Sequence, residues 1–314
     1  MCDSEIKQPK VAVLLSTYNG ERYLREQLDS IFGQTYSDLI LVIRDDGSTD
    51  STLKIIEEYK NHYPNIILIE GENVGCVKSF CDLARYVHTE LPEISFFAFS
   101  DQDDVWLPEK IGRGVAALRE VDMNTPGLYF CDSELVDKNL TLISGSESNM
   151  TTANFSLGES LMAGYFAGCT MMFNRKLLSL FTMLENHYDF CHDNWIYKIC
   201  QACGGIIIPD RKKLILYRQH GNNEIGGNQS VLKKYIRRLN LFRRFDVPRS
   251  LMAKELLRIY KDYIPEENKS VIRDVAEYTD SFTKKLRLLS GRNIKSGKHS
   301  HNLMFRMAVL FNRF

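Results

Sequence analysis

The first hundred residues alternate between short apolar runs and amphipathic stretches. Val11–Ser16, Leu39–Arg44, Ile66–Glu70 and Ile94–Phe99 are almost continuous in Val, Ile, Leu and Phe, the composition of strands covered on both faces. Between them Glu21–Phe32, Asp50–Tyr63 and Val77–His88 carry apolar residues at helical spacing. The second of these follows Ser48-Thr49, giving a run of N-cap residues through Ser51. A further helix is expected near Pro108, because proline suits a first helical turn. This alternation predicts an α/β fold: a Rossmann-like, mostly parallel sheet flanked by helices.

Beyond Pro108 the pattern changes. Leu128–Cys131 and Gly168–Phe173 read as strands, and Ser144–Ser160 reads as a polar loop. Asp193–Cys203 reads as a helix ended by Gly204-Gly205. Ile206–Ile208 and Leu214–Tyr217 are expected as two short strands, followed by a Gly- and Asn-rich loop over Gly221–Asn228. From Ser230 onward the pattern is helical and basic, interrupted at Pro248 and Pro265. A chain of 314 residues can bury one substantial core and a smaller appendage. The expected division is a catalytic domain over 1–228, with halves at about 1–105 and 106–228, and a helical C-terminal region over 229–314.

Charge sharpens that division. Forty basic and forty acidic residues cancel, so nothing global favours nucleic acid as a partner. The tail is nevertheless basic: no acid follows Asp280, whereas Lys284, Lys285, Arg287, Arg306 and Arg313 do. Tyr235–Phe245 and Leu303–Phe311 mix apolar and basic residues at helical spacing. Such segments fit peripheral contact with an anionic membrane, or helices packed on the catalytic domain with solvated basic faces. No nucleic-acid recognition motif accompanies them. Met1–Lys10 is polar and predicts no secretory signal, and no apolar run reaches the roughly 18–20 residues of a membrane span. Eight cysteines without framework spacing suggest a cytoplasmic protein, with Cys200-x-x-Cys203 read as packing rather than zinc or redox chemistry.

Candidate chemistry gathers where strands end. In an open α/β sheet ligands bind beyond the carboxyl ends of the strands. Here those ends are Ser16-Thr17-Tyr18-Asn19-Gly20, Asp45-Asp46-Gly47-Ser48, Asn73-Val74-Gly75 and Ser100-Asp101-Gln102-Asp103-Asp104. Neither G-x-G-x-x-G after the first strand nor G-x-x-x-x-G-K-[ST] anywhere offers a backbone phosphate cradle. Three aspartates in four positions instead suit one hard divalent ion, Mg²⁺ or Mn²⁺, whose shell a diphosphate completes. A solvated acidic turn is the plainer alternative. Asp46 could take a base N–H or a ribose hydroxyl, or serve only a turn and cap. Asp193 opens a helix, where the dipole favours its ionised form; it is either a general base or an N-cap. His192 suggests a local hydrogen-bonding partner, Trp195 either a sugar-stacking ring or core, and His220 a possible ligand in a Gly/Asn loop.

Taken in order, Val11–Asn19, Asp45–Asp50, Asn73-Val74-Gly75 and Asp101–Pro108 resemble family 2 glycosyltransferases with the GT-A fold. Gly168–Asn174, His192–Trp195 and Leu216–Asn223 resemble more narrowly the rhamnosyltransferase-like branch that builds bacterial surface polysaccharide. The likeness spans roughly Lys10 to Gly226 and leaves the basic tail uncovered. It implies inverting transfer of a sugar, rhamnose from dTDP-rhamnose among the options, onto a growing and lipid-linked glycan. It further implies that Thr17, Tyr18, Asn19, Asp46, Asn73 and Asp101 hold the nucleotide. Asp103, Asp101 and His220 would hold the metal, and Asp193 would be the base. Gly168, Cys169, His192 and Trp195 would lie on the acceptor side, with Asp104 a bystander. Asn194 departs from the aromatic residue found in many members of that branch. Two other readings remain at this stage. A sugar-phosphate nucleotidyltransferase should show a glycine-rich basic loop after the first strand, and Ser16–Arg22 is not one. A non-catalytic sugar-nucleotide or membrane-binding module should have lost the site's acids, and they are present.

Overall fold

β1 (Val11–Thr17) runs parallel to β2 (Leu39–Asp45) on one side and to β4 (Phe96–Ser100) on the other, and β3 (Ile66–Glu70) adds outside β2. In this computed structural model, residues 8–143, 150, 153–162, 166–185, 191–219, 249–291 and 293–314 are described. Four more strands complete one sheet: β5 (Val105–Trp106), β6 (Gly127–Val136), β7 (Met171–Asn174) and β8 (Ile206–Arg218). The order is β3-β2-β1-β4-β7-β6-β8-β5, with β7 antiparallel to both β4 and β6. The strand order reverses between β1 and β4, so the carboxyl ends of these two strands open the crevice where a ligand can sit.

The near-continuous apolar strands have a direct cause. Alternate residues of a strand face opposite sides, and both sides are covered. Ala12, Leu14, Phe97 and Phe99 belong to one buried cluster, and Val11, Val13, Leu15 and Ala98 belong to the other. The second face is closed by α1 (Leu24–Phe32), α2 (Thr52–Lys60) and α4 (Lys110–Leu118). The first is closed by α3 (Cys76–Glu90), α6 (Arg175–Phe181) and α7 (His192–Ala202). Also on that face lie α5 (Leu157–Met162), α8 (Arg249–Tyr260), α9 (Glu266–Ala276), α10 (Phe282–Ser290) and α11 (His299–Leu310). Met252, Leu256, Tyr260, Ile272, Val275 and Val309 from this tail share one cluster with Phe97, Phe173 and Trp195.

Several local expectations change. Residues 168–170 form a 3₁₀ turn before β7 rather than the start of a strand. The two short strands expected after Gly205 are one, β8, which runs parallel to β6 with register shifts at Cys131/Asp132 and Asp132/Ser133. The polar run Pro209–Lys213 that looks like a break in sequence is absorbed by this bulge. Leu157–Met162 is helical within the stretch read as a polar loop. Cys200 and Cys203 are buried free thiols with pKa pushed upward by desolvation, to about 12 for Cys203. They are packing residues and poor nucleophiles. Tyr235–Phe245 lies outside the described residues.

Candidate active site

The β1 and β2 ends interlock. Thr17 is buried and its hydroxyl donates to Gln102 Oε1 at 2.6 Å, while Tyr18 N donates to the same oxygen at 3.0 Å. Gln102 Nε2 returns a bond to Tyr18 O at 3.1 Å, so one amide fastens β4's outgoing turn to β1's. A Cβ at Gly20 would meet Gln102 Oε1 at 2.3 Å, so the amide would have to leave this position for a larger residue. Asn19 takes a positive φ of 48°, donates its N–H to Ser48 Oγ at 2.9 Å, and accepts Thr49 N on Oδ1 at 2.8 Å. Asp45 accepts Ser48 N and Ser48 Oγ, which is a turn-capping role. Asp46 is buried, pairs with Arg44, and accepts Val74 N at 3.1 Å and Gly75 N at 2.9 Å. It therefore holds the loop containing Asn73 against β2. Tyr18 is 45% exposed, and Asn73 is exposed as well.

The acidic turn is held from behind by Arg218. This residue is 1% exposed and ends β8. Its N–H donates to Asp104 Oδ1 at 3.0 Å, its Nε to Asp103 O at 2.8 Å, and its Nη2 to Glu26 Oε2 at 2.6 Å. The β5–β8 pairing, Val105 with Leu216 and Trp106 with Ile215, leads the chain into this clamp. Asp104 is buried, and its carboxyl, Asp101 and Cys169 Sγ offer ligand atoms all within 4.8 Å of one another. Burial, then the charges of Asp103 and Asp101, push the Asp104 carboxyl well above the ordinary range. Among the described residues its Oδ2 has no hydrogen-bond partner, and the Cys169 thiol acts on the carboxyl to lower its pKa only in part. A buried carboxylate oxygen left in this state beside a second acid fits a divalent cation. Below the turn, Lys110 is fully buried with its ammonium 3.7 Å from the Trp106 ring centroid and no hydrogen-bond partner. Its pKa is lowered by that burial.

Gly168 and Cys169 connect this turn to Asp193. Cys169 faces Asp101 and Asp104, while the Gly168 N–H is directed at the Asp193 carboxylate. Asp193 sits in the first turn of α7, 8% exposed, and accepts Asn194 N on Oδ1 at 2.6 Å. Desolvation raises its pKa, against the lowering effect of the Asn194 N–H and the Lys198 charge. Lys198, one turn along, is fully buried and donates to Asn194 Oδ1 at 3.2 Å. Burial, with Arg249 nearby, brings its pKa down to about 7. His192 stacks on Phe80 with centroids 4.0 Å apart and stands edge-on to Phe99 at 4.9 Å. Its Nε2 has no hydrogen-bond partner, and desolvation brings its pKa down to about 3, so it is a neutral packing ring and not the expected hydrogen-bonding neighbour. A Cβ on Gly168 would meet that Nε2 at 2.5 Å, which is why glycine stands there.

Trp195 has no exposed surface and lies in the core cluster, so it is not a stacking platform. Asp104, expected to stand aside, lies with Asp101 and the Cys169 thiol in one cluster of potential ligand atoms among the described residues, and Asp103 contributes its carbonyl to Arg218. His220 lies outside the described residues. Gln102, Arg218 and Lys198 went unassigned. Only Arg218 carried a signal, as a lone cation entering a strand end close to a Gly/Asn loop.

An α/β sheet whose reversal point carries this acidic turn, with a desolvated carboxylate across one dipeptide from it, has the layout of a GT-A glycosyltransferase. Residues 12–181, more than half of the chain, match glycosyl transferase family 2, and the chain belongs to that family. It is thus a glycosyltransferase. The dTDP-rhamnosyl transferase RfbG of Shigella flexneri is 34% identical over 245 residues, covering 73% of this chain and 79% of the relative. An uncharacterized glycosyltransferase of Nostoc is 36% identical over 221 residues, covering 68% and 66%. Among solved structures, S. aureus TarS 1-349 aligns with TM-score 0.58 and 17% identity over 97% of this chain and 80% of its own. The mannosyltransferase PcManGT of Pyrobaculum calidifontis, in complex with GDP-Man and Mn²⁺, aligns with TM-score 0.54 and 17% identity over 98% and 82%. At that identity the structural likenesses speak for the fold.

Proposed function

We propose that this glycosyltransferase moves a sugar, rhamnose from dTDP-rhamnose, with inversion onto a hydroxyl of a growing, lipid-linked glycan destined for cell-surface polysaccharide. Residues 1–228 are assigned the chemistry, and 229–314, basic and read as helical from the sequence pattern, are placed at the inner face of the cell membrane. The observation that carries the transfer reading is the Gly168-Cys169 step, which faces the acidic turn with one residue and Asp193 with the other. Leaving group and base must stand on opposite sides of the anomeric carbon for inversion, and we assign the acidic turn and Asp193 to those two sides. The 34% identity with a dTDP-rhamnosyl transferase supports the donor.

In this reading Thr17, Tyr18, Asn19, Asp46 and Asn73 shape the nucleotide pocket, Tyr18 and Asn73 through their exposed side chains and Asp46 through the loop it holds. Asp101, with Asp103 and Asp104 beside it and His220 as a further ligand, would hold Mg²⁺ or Mn²⁺, which supplies neutralisation of the diphosphate charge. Asp193 accepts the proton of the attacking hydroxyl, and its desolvation makes it a stronger base than a solvated aspartate. A screen of nucleoside diphosphate sugars with Mg²⁺ or Mn²⁺, reading the released nucleoside diphosphate, tests this. Release with dTDP-rhamnose is expected; no turnover with any donor, and no metal-dependent nucleotide binding, would defeat it.

A further inference from the structure

α11 is apolar on two opposite sides. Phe305, Ala308 and Val309 turn into the core, and Phe314 closes over them. On the other side Leu303, Met307 and Leu310, at i, i+4 and i+7, are 65%, 39% and 54% exposed, with Phe311 at 64%. α10 repeats the arrangement: Leu288 is buried, while Phe282 and Leu286 are 71% and 48% exposed. The helices adjoin, with Lys285 Nζ donating to Leu310 O at 3.4 Å. One apolar stripe is enough to seat a helix on a domain. A second, contiguous across two helices, asks for another partner.

Charge and shape select that partner. Lys284 pairs with Glu277 and Asp280, and Arg287 lies 3.8 Å from Asp274. Lys295, Arg306 and Arg313 make no ion pair with any described residue, and no acid follows Asp280 in the chain. Between the helices opens a cavity of about 390 Å³, apolar at Leu289, Ile294 and Leu303 and basic at Lys295, His299 and Arg306. A second copy of the chain would set these cations against their own equivalents across a two-fold. The 220–248 segment is itself rich in Lys and Arg, so it meets the same repulsion. An anionic lipid surface answers both features at once, acyl boundary for the stripe and phosphate for the cations.

We propose that α10 and α11 form an interfacial face that docks the enzyme on an anionic bilayer. Phe282, Leu286, Leu303, Met307, Leu310 and Phe311 enter the acyl boundary, and a lipid phosphate sits at Lys295, His299 and Arg306. This rests on the membrane placement of residues 229–314 in the proposed function and names the side chains that carry it, while the transfer chemistry stands or falls separately. Flotation of the full chain with phosphatidylcholine vesicles, with or without phosphatidylglycerol, tests it. The chain floats with the anionic vesicles only. Leu303→Glu with Phe311→Glu abolishes flotation, and Lys295→Gln and Arg306→Gln each lower partitioning about fivefold. Because all four side chains lie at the surface, melting temperature and metal-dependent diphosphate release stay at wild-type values; Leu303→Ser with Leu310→Ser serves if the Glu pair misfolds. Failure of the wild type to float overturns the proposal, as does unchanged flotation of the apolar variants. Loss of a dimer by the Leu303 variants on light scattering, with flotation retained, would reassign the face to self-association. Since diphosphate release is read separately, loss of docking and loss of transfer are distinguishable.

Discussion

At the β1–β2 rim the polar side chains are occupied with one another: Asp45 with Ser48, Asp46 with Arg44, Val74 and Gly75, Asn19 with Thr49, and Thr17 with Gln102. At the mouth of α7 they are desolvated and thinly bonded: Asp193 with a raised pKa, Lys198 lowered to about 7, His192 lowered to about 3. The first region spends its polar groups on shape, which fits a pocket that must recognise a nucleotide without reorganising. The second keeps polar groups away from water, which fits proton transfer, because desolvation carries the Asp193 carboxyl and the Lys198 ammonium toward working pH, while His192 stays neutral as packing. Substitutions at the rim should therefore change binding, and those at α7 should change protonation.

The largest expected effect comes from Asp193→Asn. It removes the base while retaining an acceptor for the Asn194 N–H, so kcat falls about 10²–10⁴-fold with nucleotide affinity by calorimetry unchanged. In the wild type, the raised Asp193 pKa places the acid limb of the activity profile above the ordinary aspartate value of 3.8. Next in size is Asp104→Asn, which keeps an oxygen for the Arg218 N–H but discards the charge beside Asp101. Mn²⁺ affinity in a titration should fall about 10–100-fold; unchanged affinity would return Asp104 to a purely structural role. Gln102→Ala unfastens the two turns, and the donor KM rises about tenfold for lost bonds of ordinary strength, with kcat moving less. A variant with kcat lowered and KM unaltered would erase the distinction between the two regions.

The smallest effect on turnover, and the clearest on stability, belongs to Lys198. Its folded pKa of about 7 lies below the ordinary lysine value of 10.5, so between these values the folded chain binds fewer protons than the unfolded one. Stability from this group therefore rises with pH from about 7 to 10.5, and below 7 its cost is fully present. Lys198→Met should stabilise the protein at neutral pH and flatten the melting temperature across that window. A slope that persists in the variant would place its origin elsewhere.

Which residues meet at the site divides between what is local and what is not. Apolar runs, cap residues and acidic turns are properties of a few consecutive positions, so β1 to β4, their polar ends and Asp193 at a helix start are legible in the sequence. The same is true of the basic tail, since charge is additive along a chain. Tertiary structure decided the rest. Asp104 and Cys169 are separated in the chain by β5, α4, β6 and α5, and the β4–β7–β6 pairing brings them together. Gln102 reaches Thr17 because β1 and β4 run side by side in register. Arg218 reaches the acidic turn because β8 continues through a bulge that the sequence shows only as a polar interruption. Periodicity reports which face of its own element a residue lies on; it is silent on what stands opposite. That is why Trp195 was open between sugar platform and core until its surroundings closed over it.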